Sequence, residues 1–251
     1  MARRTLPGTC SVRLARRGGS RTALALTFLF AGVGVSSFDG MKKRTFLPDP
    51  TQPRSSSRKE QSMSYWRGKS AIVTGAASGI GLALSKALVE KCVNVWITDI
   101  DYEGLEKAAS DLGTSARPVQ LDVRDPGRFR ELVDLVVKEE GRLDFLFNNA
   151  GILISGEARD FDTVRFDRII DVNIRGVVNG TMAAYSVMIR QGAGHIVNTA
   201  SLGGLMPSPL MAAYGMSKHA VVGLTPDWQG SRALRISSQA RPSGGSKRTG
   251  P

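Results

Sequence analysis

Cysteine is nearly absent: Cys10 and Cys92 are the only two in 251 residues. That scarcity excludes a disulfide scaffold and a cysteine-rich zinc module. Histidine is equally rare, and His195 and His219 are too few and too badly spaced to ligate a metal, so no metal is expected. No apolar run reaches the roughly 18–20 residues of a membrane-spanning helix, and no membrane partner is expected. Acidic residues are outnumbered by Lys and Arg, 22 to 34, for a net charge of +12. Spread evenly, that balance would suit nucleic acid or an anionic surface, but it is uneven. Residues 1–69 carry a net +11, residues 70–225 a net −3 and residues 226–251 a net +4. The basic flanks lack aromatic interleaving or a recognisable module, so no nucleic-acid partner is expected. With 41% apolar and 22% charged residues, the chain can bury a sizeable core.

Residues 1–65 do not read as a domain. They hold Arg3-Arg4, Arg16-Arg17, Lys42-Lys43-Arg44 and a Pro/Ser/Arg stretch from Pro48 to Arg58. Their one apolar run, Thr22 to Val35, follows basic residues as in a secretory signal peptide and is too short to span a bilayer. Two readings stay open, a targeting segment and a dispensable extension upstream of a natural start at Met63. Cytoplasmic location is the expectation. Residues 226–251 are rich in Ser, Gly and Arg without apolar period, which predicts a disordered tail.

Between the flanks the pattern alternates. Apolar strands are predicted at Ser70–Thr74, Val93–Thr98, Pro118–Leu121, Leu143–Phe147 and His195–Thr199. Helices are predicted at Ile80–Lys91, Glu103–Leu112, Pro126–Glu140, about Thr163–Arg190, and Ala212–Leu224, where Pro226 interrupts the pattern. Strand–helix alternation with near-continuous apolar strands implies right-handed βαβ units and a parallel sheet covered on both faces. The expected fold over residues 66–225 is therefore an α/β, Rossmann-type doubly wound parallel sheet, ending after the fifth strand and the helix that follows it.

The turn Gly75-Ala76-Ala77-Ser78-Gly79-Ile80-Gly81 joins the first strand to the first helix. Gly75 permits a tight turn, Gly79 lets the backbone approach a pyrophosphate and Gly81 lets helix and sheet pack closely. The helix N-terminus offers free N–H groups to phosphates. Asp99, at the end of the second strand, can accept from ribose hydroxyls and would repel a 2′-phosphate, or can serve as a cap or loop acid; Asp101 could share either role. Asn148-Asn149-Ala150-Gly151 follows the fourth strand, where ligands bind in open sheets. Tyr214 and Lys218 share one helix face. A Tyr near its ordinary pKa of about 10 is a poor base at neutral pH, and a neighbouring ammonium lowers that pKa. Ser201, just after the fifth strand, can hydrogen-bond a substrate oxygen.

TGAASGIG at 74–81, LDV at 121–123, NNAG at 148–151, Asn173 in DVNIRG, Ser201 and YGMSK at 214–218 stand in the order of the short-chain dehydrogenase/reductases. Residues 63–225 resemble the single-domain members of that family. The resemblance implies an NAD-dependent oxidoreductase interconverting a secondary alcohol and a ketone. Tyr214 would be the general acid/base, Lys218 would bind the nicotinamide ribose and depress the Tyr214 pKa, Ser201 would orient the substrate oxygen, and Asn173 would hold a water in the proton relay. Gly75, Ser78, Gly79, Ile80 and Gly81 would cradle the cofactor. Asp122 and Val123 would contact adenine, and Asn148, Asn149, Ala150 and Gly151 would flank the cofactor. Asp99 and the absence of a basic residue before Gly79 imply NAD rather than NADP. The apolar stretch between Ser201 and Tyr214, with Met206, Leu210 and Met211, is expected to line a pocket for a small apolar alcohol or ketone. After Thr225 the sequence departs from the family pattern. A sixth strand, a Pro-Gly turn, a substrate-covering helix and a seventh strand are not expected. The consequences would be an unprotected fifth strand, an impaired family-type homo-oligomer and weak or absent turnover. The rival is an inactive NAD-binding or interaction protein.

Overall fold

A computed structural model describes residues 64–157, 159, 161–207, 209–227 and 234–238. Almost all of the basic N-terminal segment, including the Thr22–Val35 run, lies outside the described residues, as do residues 228–233 and 239–251.

Five strands stand close to their predicted places: β1 (Ser70–Thr74), β2 (Asn94–Asp99), β3 (Ala116–Gln120), β4 (Phe145–Asn148) and β5 (Gly194–Asn198). Six helices connect or follow them: α1 (Gly79–Val89), α2 (Tyr102–Leu112), α3 (Pro126–Glu140), α4 (Thr163–Ile170), α5 (Gly176–Gln191) and α6 (Ala212–Asp227). The helix starts follow local chemistry. Asp101, Asp125 and Asp162 cap α2, α3 and α4 by accepting backbone N–H bonds, which satisfies donors that a helix start otherwise leaves orphaned. Gly141 and Gly192 end α3 and α5 in the left-handed conformation that a Cβ disfavours.

The sheet corrects one expectation. A sixth strand, β6 (Leu234–Ser238), lies parallel to β5 from Gly194↔Leu234 to Asn198↔Ser238. The order is β3-β2-β1-β4-β5-β6, all parallel. The fifth strand is thus an interior strand, and the C-terminal segment is not wholly irregular. Nor does Pro226 stop its helix at Leu224: α6 runs to Asp227 and ends one residue past the proline, whose ring removes one hydrogen-bond donor from the last turn. The expected absence of a Pro-Gly turn, a covering helix and a seventh strand concerns residues outside those described.

The sheet buries both faces. Ile72, Leu146 and Ile196 pack with Phe129, Leu132 and Val136 of α3 and Ala184 and Met188 of α5 on one side. Ala71, Val73, Val95, Ile97 and Phe147 pack with Leu88 of α1 and Leu105 of α2 on the other. Chain order reverses at β1, so the ends of β2 and β3 lie to one side of the β1 turn and those of β4 and β5 to the other. This is the crevice in which open α/β sheets bind ligands.

The predicted long helix over Thr163–Arg190 is interrupted. Between α4 and α5 the residues Asp171–Arg175 form a π-turn, a distortion common at functional sites. Asn173 lies within it, fully buried.

Candidate active site

A cavity of about 840 Å³ opens at the C-terminal ends of the strands. One end is walled by Asp99 and Ile100 after β2 and by Leu121, Asp122, Val123 and Arg124 after β3; the other by Thr199, Ser201, Tyr214 and Lys218. Gly75, Ser78, Gly79 and Ile80 form its floor, with Asn149, Ala150 and Gly151 beside them.

The glycine turn is built for close approach. Gly75 has φ +66° and a Cβ there would lie 2.8 Å from the Ala150 Cα. A Cβ on Gly81 would overlap the Gly75 carbonyl oxygen. At Gly79 (φ +54°) a Cβ would meet nothing within 4 Å, so this residue presents bare backbone to open space. Ser78 stands at the N-cap of α1 but its side chain makes no capping bond. The first N–H groups of the helix therefore remain available to an anion.

The two asparagines after β4 divide between core and rim. Asn148 is buried, and its Nδ2 donates to Asn198 Oδ1 (2.9 Å) and Thr181 Oγ1 (3.2 Å). It is not among the cavity-lining residues, which corrects the expectation that it flanks a cofactor. Asn149 borders the cavity, yet its Nδ2 donates to the carbonyls of Thr74 (3.0 Å) and Gly75 (3.3 Å). Thr74 Oγ1 in turn accepts from the N–H groups of Asn149 (3.0 Å) and Ala150 (2.9 Å). Thr74, which opens the TGAASGIG motif but carries no expected role of its own, thus locks the glycine turn to the β4 loop.

Lys218 is almost wholly buried, and its Nζ donates to the Thr199 carbonyl at 2.8 Å. It sits 5.8 Å from the Tyr214 ring centroid. Burial lowers its pKa to about 8, because desolvation disfavours the ammonium. The sign follows from linkage: between about pH 8 and the unfolded value of 10.5, the unfolded chain binds more protons at this site. Folding stability contributed by Lys218 should therefore rise with pH across that window and be flat below it. Chemical denaturation at pH 7.5 and 9.5 should show the rise in the wild type, and Lys218→Met should remove its share.

Asn173 works through its side chain. Oδ1 accepts from the Ile152 N–H (2.8 Å), and Nδ2 donates to the Ile152 carbonyl (2.9 Å) and Ser217 Oγ (3.0 Å). Ser217 Oγ donates to the Tyr214 carbonyl at 2.7 Å. The amide therefore ties the β4 loop to the Tyr/Lys helix and leaves one lone pair of Oδ1 uncommitted. That oxygen lies beside Gly151, where a Cβ would be 3.3 Å from Asn173 Oδ1 and 3.5 Å from Lys218 Nζ. Ser201 Oγ accepts from the Gly203 N–H (3.2 Å), while its hydroxyl proton stays free to turn into the cavity that it borders.

Asp99 borders the cavity with its two oxygens accepting from Ala77 N–H (3.0 Å) and Asp101 N–H (3.1 Å), so the loop-acid role is real and leaves further lone pairs open. Asp101 is the α2 cap and has no place in the cavity wall. Met206, Leu210 and Met211 are not among the lining residues either. Met206 and Leu210 face outward, 54% and 59% exposed, which corrects their expected position. The apolar wall comes from Ile152, Leu153 and Val172 instead.

The short chain dehydrogenase profile matches residues 69–235. The chain belongs to the short-chain dehydrogenase family. It is 42% identical over 166 residues to "Putative oxidoreductase SadH" of Mycobacterium tuberculosis, covering 65% of this chain and 60% of that protein. It is 37% identical over 184 residues to the 3-oxoacyl-[acyl-carrier-protein] reductase FabG of Thermotoga maritima, covering 69% and 73%. The chain thus spans about 60% of the length of the first of these relatives. Among solved structures, a short-chain dehydrogenase/reductase from Burkholderia phymatum in complex with NAD superposes with a TM-score of 0.67 at 32% identity, over 69% of this chain and 65% of that one. An NAD+-bound xylitol dehydrogenase gives 0.65 at 36% identity, over 69% of each chain. The match reaches Arg235, the second residue of β6, so the likeness to the family continues past Thr225, contrary to the expectation that the sequence departs from it there.

Proposed function

We propose that this chain binds NAD across the β1 crevice and interconverts a secondary alcohol and a ketone. The observation that carries this is the convergence of Ser201, Tyr214 and Lys218 on one cavity with the Gly75–Gly81 turn. NAD supplies the hydride acceptor when bound. The cavity suits a dinucleotide: the free N–H groups after Ser78 and the bare backbone of Gly79 would take the diphosphate, while Asp99 and Ile100 would face the adenosine ribose. Asp122 and Val123 would lie beside the adenine. Tyr214 would accept the carbinol proton or return it to the ketone, with Ser201 donating to the same oxygen. Lys218, held by Thr199, would stabilise the phenolate electrostatically. A water on the open lone pair of Asn173 would connect Lys218 to solvent.

Several names among the relatives support this chemistry, since a 3-oxoacyl reductase and a xylitol dehydrogenase both act at a carbonyl or its alcohol. The apolar wall of Ile152, Leu153 and Val172 favours a small apolar substrate. A turnover screen over secondary alcohols with NAD, followed through the absorbance of the reduced nicotinamide, tests the proposal. A cytoplasmic setting would supply the soluble cofactor.

Asp99 would disfavour NADP by setting a carboxylate against the 2′-phosphate. Asp99→Asn keeps an acceptor for the Ala77 N–H and removes the charge. The variant should narrow the NAD preference by roughly tenfold, as expected when a repulsion of one to two kcal/mol is lifted. Titration of the wild type with both cofactors checks the starting point, and equal affinities there would contradict the assignment.

A further inference from the structure

Ser217 lies on α6 between Tyr214 and Lys218. It is wholly buried and has no place in the cavity wall. Its hydroxyl makes two bonds whose directions are fixed. Oγ lies 2.7 Å from the Tyr214 carbonyl oxygen. A carbonyl oxygen can only accept, so the hydroxyl proton is spent there. Toward Asn173 Nδ2, 3.0 Å away, Ser217 Oγ is therefore an acceptor. The first bond stays within one turn of α6, a serine bonding back to its own helix. The second crosses to the π-turn. Asn173 sits inside that turn, where the regular helical ladder is interrupted.

Counting the groups on Asn173 gives this bond a use. A side-chain amide has two N–H donors and an oxygen with two lone pairs. Ile152 takes one of each: its carbonyl accepts from Nδ2 at 2.9 Å, and its N–H donates to Oδ1 at 2.8 Å. Ser217 takes the second N–H. What remains is one lone pair on Oδ1, and Oδ1 flanks Gly151 together with Lys218 Nζ: a Cβ on that glycine would lie 3.3 Å from the one and 3.5 Å from the other. Lys218 has spent one of its three N–H groups on the Thr199 carbonyl. Asn173 is wholly buried. Without Ser217 Oγ its second amide proton would be left without a partner, a costly state that the side chain relieves only by turning, and Oδ1 turns with it.

We propose that Ser217 is a positioning residue for proton transfer: by accepting the second amide proton of Asn173 it holds Oδ1 beside Gly151 and Lys218, and ties that oxygen to the helical turn that carries Tyr214. It moves no proton itself, since its own is committed to the Tyr214 carbonyl. The inference goes beyond the proposed function and rests on it for the path from Tyr214 through Lys218 to a water on Asn173. A residue that only supported the fold would, when lost, lower stability without separating kcat from KM.

The test compares the 251-residue wild type with Ser217→Ala, Asn173→Ala and the double variant, each checked for folding by thermal unfolding. Ser217→Cys keeps the volume but offers only a weak sulfur acceptor; it should fall between Ala and the wild type, and it takes the place of Ser217→Ala if that variant does not fold. Two quantities are read. Hydrogen exchange of the Asn173 side-chain amide, followed by NMR and assigned by its loss in Asn173→Ala, should be about tenfold faster or more in Ser217→Ala, the scale of one buried hydrogen bond. On an alcohol that the wild type oxidises with NAD, kcat of Ser217→Ala should fall about tenfold, with KM and NAD affinity within about twofold because Ser217 borders no ligand. Residues that act as one unit are not additive, so Ser217→Ala should cost less than twofold once Asn173 is already Ala. Equal amide exchange in wild type and folded Ser217→Ala would overturn the proposal and leave the oxidoreductase reading intact, as would a full tenfold loss that persists in the Asn173→Ala background. A wild type that oxidises no alcohol would overturn the oxidoreductase reading and the proton path with it, even where the exchange shows Ser217 holding the amide.

Discussion

Tyr214→Phe should lower turnover by a factor on the order of 10² to 10⁴, the range that a positioned acid/base group contributes. Among the described residues lining the cavity, the phenol is the group whose chemistry fits proton transfer to a carbinol oxygen. Ser201 has no base beside it: its Oγ accepts from the Gly203 N–H. Lys218 Nζ already donates to the Thr199 carbonyl and lies 5.8 Å from the Tyr214 ring centroid. Removing the phenolic oxygen leaves packing unchanged, so cofactor affinity should stay within about twofold while kcat collapses, the pattern of an interaction made only in the transition state. The two quantities are read separately, by single-turnover kinetics and by cofactor titration. Turnover that survives Tyr214→Phe would remove Tyr214 from the mechanism. Cofactor binding by the wild type without turnover on any alcohol of the panel would favour the rival, a binding protein without activity.

Gly81→Ala should cost about 3 kcal/mol or more of stability, because overpacking forces backbone as well as side chains to move. The new Cβ would overlap the Gly75 carbonyl oxygen and come within 2.7 Å of Asn149 Nδ2. Both neighbours are fixed by the Thr74–Asn149 lattice, so neither can yield alone. A domain of this size should lose roughly 10 °C in Tm, and dinucleotide affinity should fall with it as the turn is displaced. Gly79→Ala is the control. Its φ of +54° carries a strain of about 1–2 kcal/mol for a residue with a Cβ, with no steric neighbour added. It should unfold at a temperature much closer to wild type and yet bind dinucleotide more weakly, since the methyl group occupies the bare approach to the phosphates. Equal Tm losses in the two variants would show that the overlap at Gly81 is relieved at no greater cost than the φ strain at Gly79.

What the residues alone determined is local and periodic. Apolar β-branched runs alternating with amphipathic stretches specify strands and helices. Pro126 at the start and Gly141 at the end bracket α3 at its predicted bounds. The turn from Gly75 to Gly81 announces its use because only glycine meets its steric demands, and Tyr214 and Lys218 announce a shared face by their spacing. Other features have no such local signature. LRISS reads as part of a Ser/Arg-rich tail until β5 supplies its hydrogen-bonding partner; a strand's backbone is satisfied by its neighbour, not by itself. Adjacent Asn148 and Asn149 look equivalent in sequence, yet successive side chains leave a strand on opposite faces, so one enters the core and the other meets the turn. Met206 and Leu210 are apolar and stand between two site residues, but the loop carries them outward. The lowered pKa of Lys218 likewise belongs to tertiary structure. It is set by what surrounds the charge in space, and that burial exists only once the strands have brought their C-terminal ends together.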